Sequence, residues 1–296
     1  MFGIKMIIVK LIGGLGNQMF QYALGFKLAN IHHVPFKLDL SEFQNYNLRR
    51  YRLDNLSISG EIATSEEIRS LKKDHNNNYR NSIFHTIERI KPYYRRKYIK
   101  EKTFTYDPNI LKAPSDVYLD GYWQSEKYFK DIKSQLLREF RIKNEPDELN
   151  KSFLEKIQEE ESICVHIRRG DYISNPETNQ FHGICDIDYY NNAMKELLKH
   201  IFKPCFYFFS DDIEWVKTNL KINYPAIYIS NNGPDKEYED LRLMAACKHY
   251  IIANSSFSWW AAWLSQNRKK TIIAPKRWFN QSIDTSDLVP ESWIKM

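Results

Sequence analysis

Short apolar runs alternate with helical patterns along the second half of the chain, and this alternation constrains the fold more than any other feature. The runs, rich in β-branched and aromatic residues, predict strands at 163–167, 205–210, 226–230, 250–253 and 271–274. The patterns between them predict helices at 188–201, 213–220, 237–247 and 257–265. Strands that alternate with helices form parallel, doubly wound sheets. We therefore predict an α/β fold.

The first half opens as a Rossmann-like unit does. Residues 6–11 predict a strand, 13–18 a glycine turn and 19–29 a helix, whereas the polar, basic stretch 45–102 predicts loops and short helices. Residues 143–150, which include Pro146, are the candidate linker. We expect two Rossmann-like domains, 1–147 and 148–296, that face each other across a cleft.

One motif stands where a predicted strand ends. His166, Arg168, Arg169 and Asp171 follow the apolar run at 163–165, and ligands of open α/β sheets bind at the carboxyl ends of strands. Guanidiniums suit a pyrophosphate because their planar fork donates two parallel hydrogen bonds. In an extended segment the two arginines point to opposite faces, so one reaches a given phosphate while the other ion-pairs inward. The alternative is a structural ion pair between an arginine and Asp171.

The glycine turn is a second candidate ligand site. Gly14 allows close approach of a phosphate to the backbone, the next helix offers unpaired N–H groups, and Asn17 and Gln18 add side-chain donors. A tight strand-to-helix turn without a ligand is the alternative.

The third motif comprises Ser255, Ser256 and Phe257, where a strand ends and a helix begins. The serines predict a helix cap, a phosphate contact, or both, since the two roles share one geometry. The tryptophans that follow predict packing of this helix into the fold.

Composition excludes several classes. The net charge of +6 is a mild excess that suits an enzyme of anionic substrates better than a dedicated nucleic-acid binder. The four cysteines are widely spaced, which disfavours a zinc site and favours reduced thiols in a cytosolic protein. The acidic pairs Asp186 with Asp188 and Asp211 with Asp212 stand where carboxylates cap helices, so we predict no metal site.

Segments 13–22, 166–172 and 255–260 occur in the order typical of one family, and the chain resembles the α-1,2-fucosyltransferases of glycosyltransferase family 11. The resemblance implies a GT-B-like fold, GDP-fucose as donor, a galactose-containing glycan as acceptor, inversion at the anomeric carbon and no metal or other cofactor. By the same resemblance Arg168 binds the β-phosphate, with Arg169 in the same site, and His166 lines the nucleotide site. Asp240 resembles the aspartate that binds guanine, and Gly14, Asn17 and Gln18 resemble first-domain residues that close over the pyrophosphate. Asp240 as an ordinary surface residue of its helix is the alternative.

In the reaction that the resemblance implies, a galactose 2-hydroxyl attacks the anomeric carbon of fucose, and the proton of this hydroxyl needs an acceptor. Asp171 is the candidate general base because it is the carboxylate nearest the arginines. Glu177 is a second candidate for the base. Asp171 could alternatively orient one of the arginines. Three functions compete with this prediction: fucosyl transfer in another linkage, non-catalytic binding of a GDP-sugar or a glycan, and nucleic-acid binding by a basic module. The sequence leaves three acceptors open: lacto-series glycans, O-antigen repeats and free lactose. We expect a cytoplasmic protein without a transmembrane span, with a peripheral contact to an acidic membrane surface as an option.

Overall fold

The computed structural model describes residues 4–44, 49–72, 90–170 and 176–296. They form two compact units, one of Met1–Arg141 with Asp284–Leu288 and one of Ile142–Ile283 with Val289–Met296. The division into functional domains at 147/148 stays a prediction.

The first unit is built on a parallel sheet with strand order β3-β2-β1-β5-β4. Its strands are β1 (Ile7–Lys10), β2 (Phe36–Asp39), β3 (Glu61–Ile62), β4 (Tyr98–Lys100) and β5 (Val117–Asp120). Its helices are α1 (Leu15–His32), α2 (Ser65–Lys72) and α3 (Lys133–Glu139), with short 3₁₀ turns between them. Helix α1 is buried over most of its circumference, which explains why apolar residues surround it.

The second unit is built on another parallel sheet, with strand order β11-β10-β9-β6-β7-β8. Its strands are β6 (Glu161–Ile167), β7 (Pro204–Ser210), β8 (Ala226–Ile229), β9 (His249–Ile251), β10 (Ile272–Ala274) and β11 (Ile294–Lys295). Its helices are α4 (Glu148–Glu159), α5 (Pro176–His182), α6 (Ile187–Leu198), α7 (Ile213–Asn219), α8 (Glu237–Ala246) and α9 (Ser256–Leu264). The central strands β6 and β7 are buried almost throughout, as expected for a parallel sheet covered on both faces.

The predicted α/β class with two parallel sheets is confirmed. Several elements differ from the sequence-based expectation. The amphipathic pattern of residues 128–140 is typical of one helix, whereas the structure has two 3₁₀ turns, at 126–128 and 130–132, followed by the short α3. The predicted linker overlaps the start of α4, whose N-cap is Asp147. Strands β3 and β4 lie in the stretch expected to be irregular, because strands of two or three residues are too short to show a period.

Within the described residues, no helix is both long enough and apolar enough to cross a bilayer.

Candidate active site

The switch point of the second sheet lies between β6 and β9. From β6 the strand order proceeds through β7 and β8 on one side, and β9 begins the other side. Val165 of β6 pairs with Ile251 of β9, so both strands end at the same edge. His166 and Arg168 stand at the end of β6, and Ser255 follows β9. The structure therefore brings two of the predicted motifs to the place where open α/β sheets bind ligands.

Both arginines pair with the two aspartates that follow β7. Arg168 Nη1 lies 2.9 Å from Asp211 Oδ2, and Arg169 Nε lies 3.3 Å from Asp212 Oδ2. The backbone N–H of Arg169 also donates to Asp211 Oδ1 at 2.8 Å. This contact follows from the sheet register, which sets Ile167 opposite Ser210.

Both arginines make ion pairs, whereas the sequence predicted an inward ion pair for only one of them. Strand β6 ends at Ile167, before either arginine, so the alternation of a strand does not by itself set the directions of their side chains. The guanidinium carbon of Arg169 lies 3.6 Å from the ring centroid of Trp215, which is a cation–π contact. The side chain of Arg168 is 26% exposed, so it remains within reach of solvent and of a bound ligand.

The imidazole of His166 is buried beneath this edge. Burial lowers its pKa to about 4, with Asp211 opposing and Arg168 supporting that change. His166 is therefore neutral at pH 7, and the arginines supply the positive charge of this edge. Its ring lies 5.9 Å from that of Phe257, and in the described part of the chain His166 Nδ1 is buried without a hydrogen-bond partner. Such a buried nitrogen needs a partner from outside the protein, either a ligand or an ordered water.

The third motif forms the start of α9. Ser255 is the N-cap residue, yet its side chain makes no capping hydrogen bond, so the helix does not use this hydroxyl. Asn254 was not anticipated as a functional residue. Its Nδ2 donates to the carbonyls of His182, Gly183 and Trp278, and these bonds fix the loop that presents the serines.

Asp240 lies on α8, the helix that packs against α9. Asn232 Nδ2 donates to Asp240 Oδ1 at 2.8 Å, and Asn232 in turn bonds the buried Asn150 of α4. Burial raises the pKa of Asp240 to about 6, with Glu237 and Glu239 adding repulsion. Asp240 is therefore half-buried and hydrogen-bonded, which distinguishes it from an ordinary exposed residue on a helix surface.

The glycine turn lies at the switch point of the first sheet, between β1 and β5. Gly13 has a φ of +78°, and a Cβ on it would lie 2.5 Å from Asn17 Nδ2, so only glycine fits. Gly14 has open space where a Cβ would be. Asn17 accepts a hydrogen bond from Gln124, a residue that sequence reasoning did not single out.

Gln18 serves the turn itself. It is fully buried, its Nε2 donates to the carbonyls of Gly13 and Arg50, and its Oε1 accepts from the N–H of Arg52. Direct contact of Gln18 with a ligand stays a prediction.

The acidic residues divide by role. Asp186 and Asp212 accept hydrogen bonds from helix N–H groups, at 2.7 and 3.2 Å, as the capping prediction requires. Asp212 also pairs with Arg169, whereas Asp211 pairs with Arg168 and, contrary to the prediction, does not cap the helix. Asp171, the predicted base, lies outside the described residues, and Glu177 is described only by its backbone, within α5.

Known proteins resemble this chain in sequence and in fold. The chain is 34% identical to an alpha-1,2-colitosyltransferase of Escherichia coli over 99% of both proteins. It is 26% identical to the human galactoside alpha-(1,2)-fucosyltransferase 1 over 50% of this chain and 42% of that protein. A structure of Arabidopsis thaliana FUT1 in complex with GDP matches with a TM-score of 0.50 and 13% identity, covering 91% of this chain and 70% of that one, which supports the fold alone.

The family model of glycosyl transferase family 11 matches residues 3–296. With its motifs at the switch points of two parallel sheets, the chain is a member of glycosyl transferase family 11.

Proposed function

We propose that the chain transfers L-fucose from GDP-fucose to the 2-hydroxyl of a galactose residue, with inversion and without a metal ion. The observation that carries the proposal is the arginine pair, fixed by Asp211 and Asp212 at the switch point of the second sheet. Preorganised donors at that edge suit a departing diphosphate, whose negative charge grows as the sugar leaves. Two relatives are named for the transfer of a deoxysugar in an α-1,2 linkage, and this supports the α-1,2 linkage proposed here.

In this proposal Arg168 donates to the β-phosphate, and Arg169 adds positive charge to the same site. His166, Ser255, Ser256 and Phe257 line the donor site at the ends of β6 and β9. Gly14 and Asn17 of the first unit contact the pyrophosphate, and Gln18 holds their turn in place.

Asp240 binds the guanine of the donor in this proposal. A carboxylate accepts from both the ring N–H and the exocyclic amine of guanine, and adenine offers no such pair. The hydrogen bond from Asn232 leaves the second carboxylate oxygen of Asp240 to accept from a ligand.

The chemical step forms a bond from the galactose 2-oxygen to the anomeric carbon and breaks the bond from that carbon to the β-phosphate oxygen. Asp171 takes the hydroxyl proton, or Glu177 does, and GDP departs. Comparing the pH profiles of turnover of Asp171→Asn and Glu177→Gln identifies the base, because only loss of the base removes the acidic limb of the profile, where protonation of the base stops proton transfer.

Metal independence is part of the proposal. Its support is that three of the four aspartates of the capping pairs have other partners, Asp186 and Asp212 being bonded to helix N–H groups and Asp211 to Arg168. Turnover in EDTA should equal turnover in Mn²⁺, and a requirement for added Mn²⁺ would refute this part.

Colitosyl transfer is the second candidate, because the 34% identical relative has that name. Fucose and colitose differ by one hydroxyl, so the test compares kcat/KM for GDP-fucose and GDP-colitose on a panel of galactosides, followed by linkage analysis. A preference for GDP-colitose, or a linkage other than α-1,2 to galactose, would overturn the fucosyl proposal.

Replacing Arg168 by Ala separates an enzyme from a binder. Loss of one preorganised donor should lower kcat about 10²–10³-fold while GDP affinity falls far less. The exposed Arg268, in the same unit, provides the control, and Arg268→Ala should retain turnover. Equal losses of turnover and GDP affinity in Arg168→Ala would favour a non-catalytic binding protein.

The first unit is proposed to carry acceptor specificity, and the protein is proposed to act in the cytoplasm. The net charge of +6 supports a peripheral contact with acidic membranes, which co-sedimentation with anionic vesicles tests.

A further inference from the structure

Gln124 occupies an unusual position at the switch point of the first sheet. It follows β5, the neighbour of β1, and only 6% of it is exposed. Its Nε2 donates to Asn17 Oδ1 at 2.7 Å, whereas its Oε1 is buried and has no hydrogen-bond partner among the described residues.

The contact sets the orientation of the Asn17 amide. Because Gln124 donates to Asn17 Oδ1, the amide nitrogen of Asn17 must face the other way, and Asn17 Nδ2 indeed lies over Gly13. The donor group of Asn17 is therefore turned toward the glycine turn, beside the open space at Gly14. A donor over such a turn complements the unpaired N–H groups at the start of α1 and favours an anion.

The backbone that delivers Gln124 is itself strained. Trp123 has a φ of +56°, a left-handed conformation that a bulky residue rarely adopts. Glu101 holds it there, since its carboxylate accepts from the N–H groups of Tyr122 and Trp123 at 2.6 and 2.9 Å. Strain kept by surrounding hydrogen bonds clusters at functional sites.

An unpaired buried acceptor also costs free energy, so folding alone does not explain this residue. The same unit contains a matched case, Gln21, which is also buried but has both ends of its amide bonded to the backbone of Ile12. Gln21 has a structural role that Gln124 lacks.

We propose that Gln124 is a positioning residue that orients the Asn17 amide so that its nitrogen donates to the diphosphate of the donor substrate. This inference rests on the proposed function for the identity of the substrate. The chemistry it requires is a phosphate oxygen at the glycine turn.

The test compares Gln124→Met with the wild-type protein. Methionine has a similar volume and cannot donate, so Asn17 loses its fixed orientation. We expect KM for GDP-fucose and Ki for GDP to rise about tenfold, as for loss of a hydrogen bond to a charged group, while Ki for guanosine and KM for the acceptor stay unchanged. Gln124→Glu should be weaker still, because a carboxylate accepts from Asn17 Nδ2 and turns Asn17 Oδ1 toward the phosphate.

Stability provides the readout that a purely structural role would not give. Gln124→Met removes the unpaired acceptor but also the bond to Asn17 Oδ1, so the two effects offset each other and its Tm should stay close to that of the wild type. Gln21→Met, the control, leaves the backbone groups of Ile12 unpaired, and its Tm should fall. A fall in the Tm of Gln124→Met as large as that of Gln21→Met, or unchanged affinity for GDP, would overturn the inference.

Inorganic pyrophosphate separates the two proposals. If the wild type binds pyrophosphate but not GDP, and Gln124→Met weakens pyrophosphate binding, the proposed donor is refuted and the positioning role is retained. If Gln124→Met turns over GDP-fucose as well as the wild type does, the positioning role is refuted and the proposed donor is retained. Absence of binding to both probes would refute both.

Discussion

The buried imidazole of His166 makes the stability of the second unit depend on pH. The pKa of a histidine is 6.5 when it is exposed, and burial lowers that of His166 to about 4. The folded chain therefore binds fewer protons at this site than the unfolded chain between those two values. Stability from His166 is complete above pH 6.5 and is lost as the pH falls toward 4.

The size of the effect follows from the two pKa values. The full difference is worth about 3 kcal/mol, of which about 2 kcal/mol is lost by pH 5. His166 is only 5% exposed, so solvent screening does not reduce this figure. Replacement by Asn removes the titrating group, and its own packing cost is the same at every pH.

The assay is denaturant unfolding of the whole chain at pH 7.5, 6 and 5, followed by tryptophan fluorescence. Trp123 lies in the first unit and the other six tryptophans lie in the second, so the signal reports mainly the unit that contains His166. Wild type should lose about 2 kcal/mol more than His166→Asn between pH 7.5 and 5. His200→Asn, at an exposed position, should parallel the wild type. Parallel curves for wild type and His166→Asn would refute the argument that burial keeps this imidazole neutral.

Three further predictions concern neighbouring positions. In Gly170→Ala the new Cβ would lie 2.7 Å from Asp211 Oδ2, so the carboxylate must shift away from Arg168. Turnover should fall by up to about 100-fold while the circular dichroism spectrum stays unchanged. Full turnover would contradict the positioning of Arg168 by Asp211. Burial raises the pKa of Asp240 to about 6, so the affinity for GDP, measured by calorimetry, should weaken as the pH falls through 6. Asp240→Asn should bind GDP weakly at every pH. A GDP affinity of the wild type that does not change with pH would argue against guanine binding at this carboxylate. Gly13→Ala places a side chain at a φ of +78° and should lower the free energy of unfolding by about 1–2 kcal/mol in urea titrations; equal stability would show that the turn tolerates a Cβ.

The sequence predicted the elements that carry the motifs because their signals are local. The apolar run at 163–167 coincides with β6, and the glycines of the first turn coincide with the start of α1. A motif at the end of a buried parallel strand has few possible places, so the position of Arg168 at a sheet edge followed directly.

The partners of those residues could not be predicted in the same way. Asp211 meets Arg168 because β6 and β7 are neighbours in a particular register, and Gln124 meets Asn17 across 107 residues of sequence. Such contacts depend on strand order, which local propensity does not encode. Short strands such as β3 and β11, each of two residues, pair because longer neighbours offer them an edge.

The segment Asp284–Leu288 belongs to the first unit although it lies near the end of the chain. Asp287 accepts hydrogen bonds from Lys127 Nζ at 2.6 Å and from the N–H of Tyr106 at 2.9 Å. The polypeptide thus passes between the units three times, and no single cut releases either one whole. A fragment ending near residue 147 would keep Lys127 but lose its carboxylate, so dissection of this enzyme into halves calls for grafting that short segment onto the N-terminal piece.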